Sequence, residues 1–188
     1  MSKTIREQRF EKVIEIISCN NIRNVAEFGC GNGKFIPYLK KLNNIKEIAV
    51  IDKDEKNIKR LKSKYTDVKS YCASFLSLYN QFIGFDCVVA IEVIEHLSNH
   101  ELAQLKRVVF EIISPKLIIF TTPNIEYNVN YPILFDGFRH TTHLFEFSPT
   151  ELCNWGKDIV VQYKNYNFYT DFCDVNTSSQ IIVFYKEN

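Results

Sequence analysis

Short apolar runs alternate with amphipathic helical segments along most of this sequence, and this alternation limits the fold more than any other feature. Five runs have the length and the apolar content of strands, and they cover residues 24–28, 48–51, 68–71, 85–91 and 116–121. The nearly continuous runs at 85–91 and 116–121 are typical of parallel strands that are buried on both faces. We therefore predict an α/β fold in which helices cover both faces of a doubly wound sheet.

The last part of the chain predicts a different strand pairing. Residues 159–168 and 179–185 have the pattern of two long strands joined by a polar bend, which indicates an antiparallel pair. The helices that precede the fifth and sixth strands are predicted to begin with capping boxes at Ser98 and Ser148. The complete prediction is a Rossmann-like sheet of seven strands, mostly parallel, with an antiparallel last strand.

Length and composition favour one domain. The chain has 188 residues, of which 46% are hydrophobic, and it shows no internal repeat or linker, so we predict a single domain of residues 1–188 with a lead-in helix in residues 1–20. The net charge of +1 gives no general signal of a polyanion-binding or membrane-surface protein. No apolar run is long enough to span a membrane, and the six cysteines form no CxxC pair. These features predict a cytoplasmic protein without a disulfide framework.

A glycine-rich loop directly follows the first predicted strand. Gly29, Gly31 and Gly33 precede a helix, where glycine lets the backbone approach a ligand closely and the helix end offers free N–H groups. Lys34 stands where the dinucleotide fingerprint requires another glycine, so a nicotinamide cofactor is the weaker interpretation. Asp52 ends the second strand, where a carboxylate can accept hydrogen bonds from ribose hydroxyls.

The run EFGCGNG, which begins at Glu27, together with Asp52 resembles the class I S-adenosylmethionine-dependent methyltransferases. The resemblance implies S-adenosylmethionine as methyl donor, with its methionine part at the glycines, its ribose at Asp52 and its adenine near Ser74 and Phe75. The residues that it assigns to the cofactor are Glu27, Gly29, Gly31, Gly33, Asp52, Ser74, Phe75 and Ile91. The alternative interpretation is a tight turn without a ligand, in which Asp52 caps a helix.

Two carboxylates and a histidine follow the fourth predicted strand. Glu92, Glu95 and His96 have i, i+3, i+4 spacing, so one helical turn would place them on a common face. Two carboxylates and an imidazole on one face either repel one another or bind a cation. Their oxygen and nitrogen ligands suit Mg²⁺ or Mn²⁺, with Co²⁺ also possible. His140 and His143, in the loop after the fifth strand, are the candidates for a fourth ligand. The alternative is a solvated helix start, where acidic residues are favourable.

Three segments, EVIEHL, TTPNIEYNVN and FRHTTHLFEFSPTEL, together resemble the HEN methyltransferases, which methylate the 2′-hydroxyl of the 3′-terminal ribose of RNA. The resemblance implies Glu92, Glu95, His96 and His143 as catalytic metal ligands, with His143 favoured over His140. It implies RNA with free 2′- and 3′-hydroxyls at its 3′ end as substrate, since both hydroxyls could chelate the ion.

Four residues after the fifth predicted strand are predicted to contact the substrate, and they are Thr122, Asn124, Arg139 and His140. Arg139 is the candidate for the last phosphodiester. A protein partner that delivers the RNA is possible. Two alternatives remain open: a metal-dependent O-methyltransferase for a small diol, and a non-catalytic module that binds cofactor or RNA. The sequence leaves open the class of RNA, the metal and the oligomeric state.

Overall fold

The computed structural model describes residues 3–187, so residues 1, 2 and 188 of the predicted domain lie outside the described part. Its centre is a seven-stranded sheet with the order β3-β2-β1-β4-β5-β7-β6. The strands are β1 Asn24–Phe28, β2 Glu47–Asp52, β3 Lys69–Cys72, β4 Cys87–Ile91, β5 Leu117–Pro123, β6 Tyr166–Phe172 and β7 Ser179–Lys186. Strands β1 to β5 pair in parallel, and β7 pairs antiparallel with both β5 and β6. The predicted fold class is confirmed.

The helices are α1 Ile5–Ser18, α2 Ile36–Leu39, α3 Glu55–Lys64, α4 Asn99–Lys106 and α5 Pro149–Gln162. A π-helical segment, Arg107–Ile113, continues α4, and 3₁₀ turns lie at Tyr79–Phe82, Ile94–His96 and Ile125–Asn130. Both predicted capping boxes are present, because Ser98 and Ser148 each accept a hydrogen bond from the backbone N–H three residues on. The longest helices in residues 3–187 have 14 residues, which is too short for a membrane span.

One predicted strand boundary is wrong. Residues 159–162 form the last turn of α5, and β6 begins only at Tyr166. Ile159 is fully buried on the face of α5 that packs against the sheet. A short apolar run fits a buried helix face as well as a strand, so the pattern alone did not separate them.

The core consists of two clusters, one on each face of the sheet. On β7, Val183 belongs to one cluster and Phe184 to the other, because successive side chains of a strand point to opposite faces. Phe184 is fully buried, and its ring contacts four aromatic rings, those of Phe110, Phe120, Trp155 and Phe168. This aromatic group packs α5 and the π-helical segment against the antiparallel end of the sheet.

We expect Phe184→Ala to lower the free energy of unfolding by about 3–5 kcal/mol, because it leaves a cavity among these rings. Tyr185→Ala is the matched control on the same strand, since Tyr185 is 41% exposed, and it should lower the stability much less. Chemical denaturation of the three proteins measures the difference. Equal losses in the two variants would contradict the central position of Phe184.

Candidate active site

The glycine loop forms the floor of the candidate site. Gly29 and Gly31 have φ of +71° and +50°, a conformation that favours glycine. A Cβ atom on Gly29 would lie 2.6 Å from Cγ2 of Val93, so a side chain there would displace the turn after β4. The N–H of Gly31 donates to Oδ2 of Asp52 at 2.7 Å. The loop is thereby fixed against the carboxyl end of β2.

Two cavities flank this loop, with volumes of about 550 Å³ and about 300 Å³. Gly29 and Glu92 line both cavities. The predicted cofactor residues that line one or the other are Glu27, Gly29, Gly31, Asp52, Phe75 and Ile91. The smaller cavity extends to His96, so a ligand that fills it contacts the predicted metal site directly.

Two of the predicted cofactor residues line neither cavity. A Cβ atom on Gly33 would lie 2.3 Å from Cδ2 of Leu61, so this glycine allows the loop to pack against α3. Ser74 accepts a hydrogen bond from the N–H of Leu76 on its hydroxyl and shapes the turn after β3. Both residues position the segments that surround the cavities.

Glu27 is buried beneath the glycine loop, and its Oε2 has no hydrogen-bond partner within the described residues. Burial, together with the nearby carboxylate of Asp52, raises the pKa of Glu27 to about 8. A buried carboxyl without a partner at the wall of a cavity fits a ligand that brings a donor or a positive charge. The ammonium group of S-adenosylmethionine has this chemistry.

A second cluster lies at the carboxyl end of β4. Glu95, His96 and His143 each offer one ligand atom, and these atoms lie within 4.8 Å of one another. Glu95 is fully buried, and its Oε1 has no hydrogen-bond partner within residues 3–187. Burial and the charge of Glu92 raise the pKa of Glu95 well above its ordinary value. A divalent cation would give this oxygen a partner, and one carboxylate with two imidazoles is a suitable set of ligands for such an ion.

The loop after β5 brings the second histidine to this cluster. The N–H of Leu144 donates to the carbonyl oxygen of Glu95 at 2.8 Å, which places His143 beside His96. The two rings have centroids 4.7 Å apart. Burial and the neighbouring histidines lower the pKa of His96, which favours the neutral imidazole that a metal requires. His140 lies outside the cluster, with its Nδ1 hydrogen-bonded to Oγ1 of Thr142 at 2.8 Å.

Glu92 lies apart from the other predicted ligands. The predicted common helix face does not exist, because Glu92 has a φ of +55° and only a single 3₁₀ turn, Ile94–His96, follows it. Its Oε2 lies 2.9 Å from Nη2 of Arg9, and its Oε1 accepts hydrogen bonds from the hydroxyls of Thr121 and Ser179 at 3.0 and 2.9 Å. The carboxylate is therefore bound to α1 and β7. Sequence reasoning missed Arg9, since no local pattern indicates which helix residue reaches the site.

The predicted substrate residues occupy different positions from those expected. Thr122 is fully buried and donates its hydroxyl to Oε2 of Glu95 at 3.2 Å, so it supports a candidate metal ligand. Asn124 is buried and caps the 3₁₀ turn that follows, by accepting from the N–H of Glu126. Of these residues, His140 alone is exposed beside the cluster.

Arg139 is directed into the loop. Its guanidinium donates to Oδ1 of Asn128 and to the carbonyl oxygen of Ser178, both at 2.6 Å, and to the carbonyl oxygen of Asn124. Its side chain is only 10% exposed. This conformation therefore does not support the predicted contact with a phosphodiester, because every guanidinium nitrogen already has a protein acceptor. Arg139 holds the loop in place.

Comparison with known proteins agrees with this geometry. A family model described as a methyltransferase domain matches residues 26–116. The methyltransferase domain of the bacterial protein CtHen1-C superposes with a TM-score of 0.84 at 26% identity, over 98% of this chain and 100% of that domain. Fold and site together define a class I methyltransferase domain.

Two curated relatives carry the name small RNA 2′-O-methyltransferase. The Drosophila melanogaster protein is 32% identical over 98% of this chain and 55% of its own length. The Rattus norvegicus protein is 29% identical over 91% of this chain and 46% of its own length. Within the class I methyltransferases the chain is thus similar to the HEN methyltransferases in sequence and in structure, and the resemblance predicted from its three motifs is confirmed. The chain spans about half the length of these relatives.

The environment of Glu27 predicts a pH-dependent stability. Between about pH 4.5 and 8 the unfolded chain releases the Glu27 proton while the folded protein keeps it, so stability is highest at low pH and is lost as the pH rises through about 8. Glu27→Gln cannot ionise. Its stability relative to the natural protein should therefore rise by up to roughly 5 kcal/mol between pH 4.5 and pH 8. Urea denaturation at several pH values measures this, and parallel pH profiles for the two proteins would contradict a buried neutral Glu27.

Proposed function

We propose that this domain transfers a methyl group from S-adenosylmethionine to the 2′-hydroxyl of the 3′-terminal ribose of RNA, with a divalent metal ion at Glu95, His96 and His143. The observation that carries the proposal is the buried carboxylate oxygen of Glu95, which has no hydrogen-bond partner in the described part of the chain and lies with two histidines beside the glycine-loop cavities. The relatives named small RNA 2′-O-methyltransferase support RNA as the substrate.

The proposed chemistry requires activation of a hydroxyl, because an alcohol is a poor nucleophile near neutral pH. A divalent ion held at the cluster would supply positive charge that makes a neighbouring ribose hydroxyl a better nucleophile. Glu95, His96 and His143 would hold this ion, and Thr122 orients Glu95 through its hydroxyl. His96 is exposed, so the released proton has a path to water.

The cofactor would extend from the glycine loop toward the metal cluster. Asp52 already accepts the N–H groups of Gly31 and Asp54, at 2.7 and 2.9 Å, and these bonds hold its carboxylate at the cavity wall where a ribose would lie. His96 lines the same cavity and belongs to the metal cluster. The methyl donor and the acceptor hydroxyl would therefore meet beside His96.

Glu92 remains a predicted ligand within this proposal. In the described conformation it is bound to Arg9, so it would have to leave that ion pair to join the other three ligands. Delivery of RNA by a protein partner also remains a prediction, as do the class of RNA and the choice among Mg²⁺, Mn²⁺ and Co²⁺.

The proposal is tested by incubating the protein with labelled S-adenosylmethionine, Mn²⁺ and RNA oligomers that end in ribose, 2′-deoxyribose or 3′-deoxyribose. We expect label only in the ribose-ended RNA, since the 2′-deoxy end lacks the acceptor and the 3′-deoxy end lacks the second hydroxyl for the metal. A chelator should abolish the transfer. Glu95→Gln should reduce it by at least about 100-fold, because the buried ligand is lost.

His100→Asn is a control outside the cluster, since His100 is an exposed histidine of α4 and is not among the clustered residues. Transfer at the natural rate in this variant would show that a substitution outside the cluster leaves the reaction intact. Efficient labelling of the 2′-deoxy end would refute the assignment of the 2′-hydroxyl. Labelling of a small diol such as catechol, with none on RNA, would favour the small-molecule alternative.

A further inference from the structure

Glu146 is a buried carboxylate beside the metal cluster to which the sequence motifs assign no role. It lies in the loop between β5 and α5, and its side chain is completely inaccessible to solvent. Its Oε1 lies 2.6 Å from Nδ1 of His143. A carboxylate in this position can only accept, so the hydrogen of that bond belongs to the imidazole.

Further donors hold Glu146 in its orientation. The backbone N–H of Arg139 donates to Oε1 at 2.8 Å, and Nδ2 of Asn128 donates to Oε2 at 2.7 Å. Both oxygens of Glu146 thus accept hydrogen bonds, Oε1 from His143 and Arg139 and Oε2 from Asn128, and this set of donors favours the ionised carboxylate. Glu146 is therefore a fixed, ionised acceptor at one side of the His143 ring.

The partners of Glu146 are themselves anchored. The guanidinium of Arg139 is bound to backbone carbonyl oxygens and lies over the rings of Tyr127 and Tyr131, with distances of 5.6 and 5.0 Å to their centroids. The Nδ2 group of Asn128 also donates to the carbonyl oxygen of Gly137 at 3.0 Å. The position of the carboxylate is thus determined by the folded loop as a whole.

We propose that Glu146 is a positioning residue that holds the proton of His143 on Nδ1 and so directs the lone pair of Nε2 toward Glu95 and His96. In a neutral imidazole one nitrogen donates and the other accepts, and the hydrogen bond of one nitrogen decides which nitrogen can bind a metal. Carboxylates that accept from a ligating histidine in this way also increase its basicity. The inference rests on the proposed function only in that the cluster binds a metal.

His96 has a corresponding arrangement. Its Nδ1 lies 3.1 Å from the carbonyl oxygen of Thr142 and 2.9 Å from the hydroxyl oxygen of the same residue. Because a carbonyl oxygen can only accept, this contact favours a proton on Nδ1 and leaves Nε2 as the acceptor. The same loop therefore supplies the acceptor for both histidines. The difference is that Glu146 carries a full charge, so it constrains His143 more strongly than a carbonyl oxygen constrains His96.

The first test uses the natural protein without metal, cofactor or RNA. With ¹⁵N-labelled histidine at pH 8.5, long-range ¹H–¹⁵N NMR identifies the protonated nitrogen of each neutral imidazole. We expect His143 to carry its proton on Nδ1, and a proton on Nε2 would overturn the proposal. This measurement does not depend on whether any variant folds.

The second test measures Mn²⁺ affinity by the EPR signal of free Mn²⁺. In Glu146→Gln one of the two carboxylate oxygens is replaced by an NH₂ group, which then faces either His143 or Asn128. We expect the Mn²⁺ affinity to fall about 10- to 100-fold. Glu146→Asp keeps the charge and should recover part of the affinity. Glu151→Gln, the same change at the glutamate of the α5 capping box, should bind Mn²⁺ like the natural protein. Unchanged affinity in Glu146→Gln would refute the role.

The two proposals can fail separately. Neither test includes S-adenosylmethionine or RNA, so they report on His143 even if the domain methylates a different acceptor. A protein that shows the Nδ1 proton and the Glu146-dependent Mn²⁺ affinity, but does not label ribose-ended RNA, would refute the proposed function alone. An Nε2 proton on His143 in a protein that does label RNA would refute the positioning role alone.

Discussion

The candidate metal site depends on one backbone hydrogen bond, from Leu144 to the carbonyl oxygen of Glu95. It joins two segments that are far apart in sequence, the turn after β4 and the loop after β5. These segments meet because β4 and β5 are adjacent parallel strands whose carboxyl ends share one edge of the sheet. The bond then fixes the register between them, so that His143 lies beside His96. The contact between Nδ1 of His96 and the carbonyl oxygen of Thr142 joins the same two segments.

The electrostatics of the site follow from burial at this edge. Glu27 and Glu95 are removed from water, and one oxygen of each has no partner among residues 3–187, so their pKa values rise. Glu92 and Glu146 are satisfied instead, Glu92 by Arg9 and two hydroxyls, and Glu146 by His143 and two further donors. The first two carboxyl groups are therefore candidates for binding a ligand, whereas the other two hold neighbouring side chains in position. A net charge close to zero for the chain conceals this local arrangement.

The sequence predicted the parts of the structure that local patterns determine. The parallel strands were recognisable from their apolar runs, and the glycine loop from its place after β1. Strand topology predicted that Glu95, His96 and the loop histidines share one edge, and the resemblance to the HEN methyltransferases favoured His143 over His140. The end of α5 was mispredicted because Ile159 fits the apolar pattern of a helix as well as that of a strand. The position of Glu92 depends on a left-handed backbone and on Arg9 in α1, and neither is visible in local sequence. Glu146 was part of a recognised motif, but its role depends on the folded loop.

The bond between Arg9 and Glu92 has a consequence for the extent of the functional unit. The segment that matches the methyltransferase family model ends at residue 116 and begins at residue 26. Yet Glu92, which lies within this segment, is held by Arg9 from the first helix and by Ser179 from the last strand. A fragment trimmed to the matched segment would leave this carboxylate in a partly buried position with neither partner. The smallest fragment that keeps both contacts of this carboxylate therefore extends from α1 to β7, close to the two ends of the described chain.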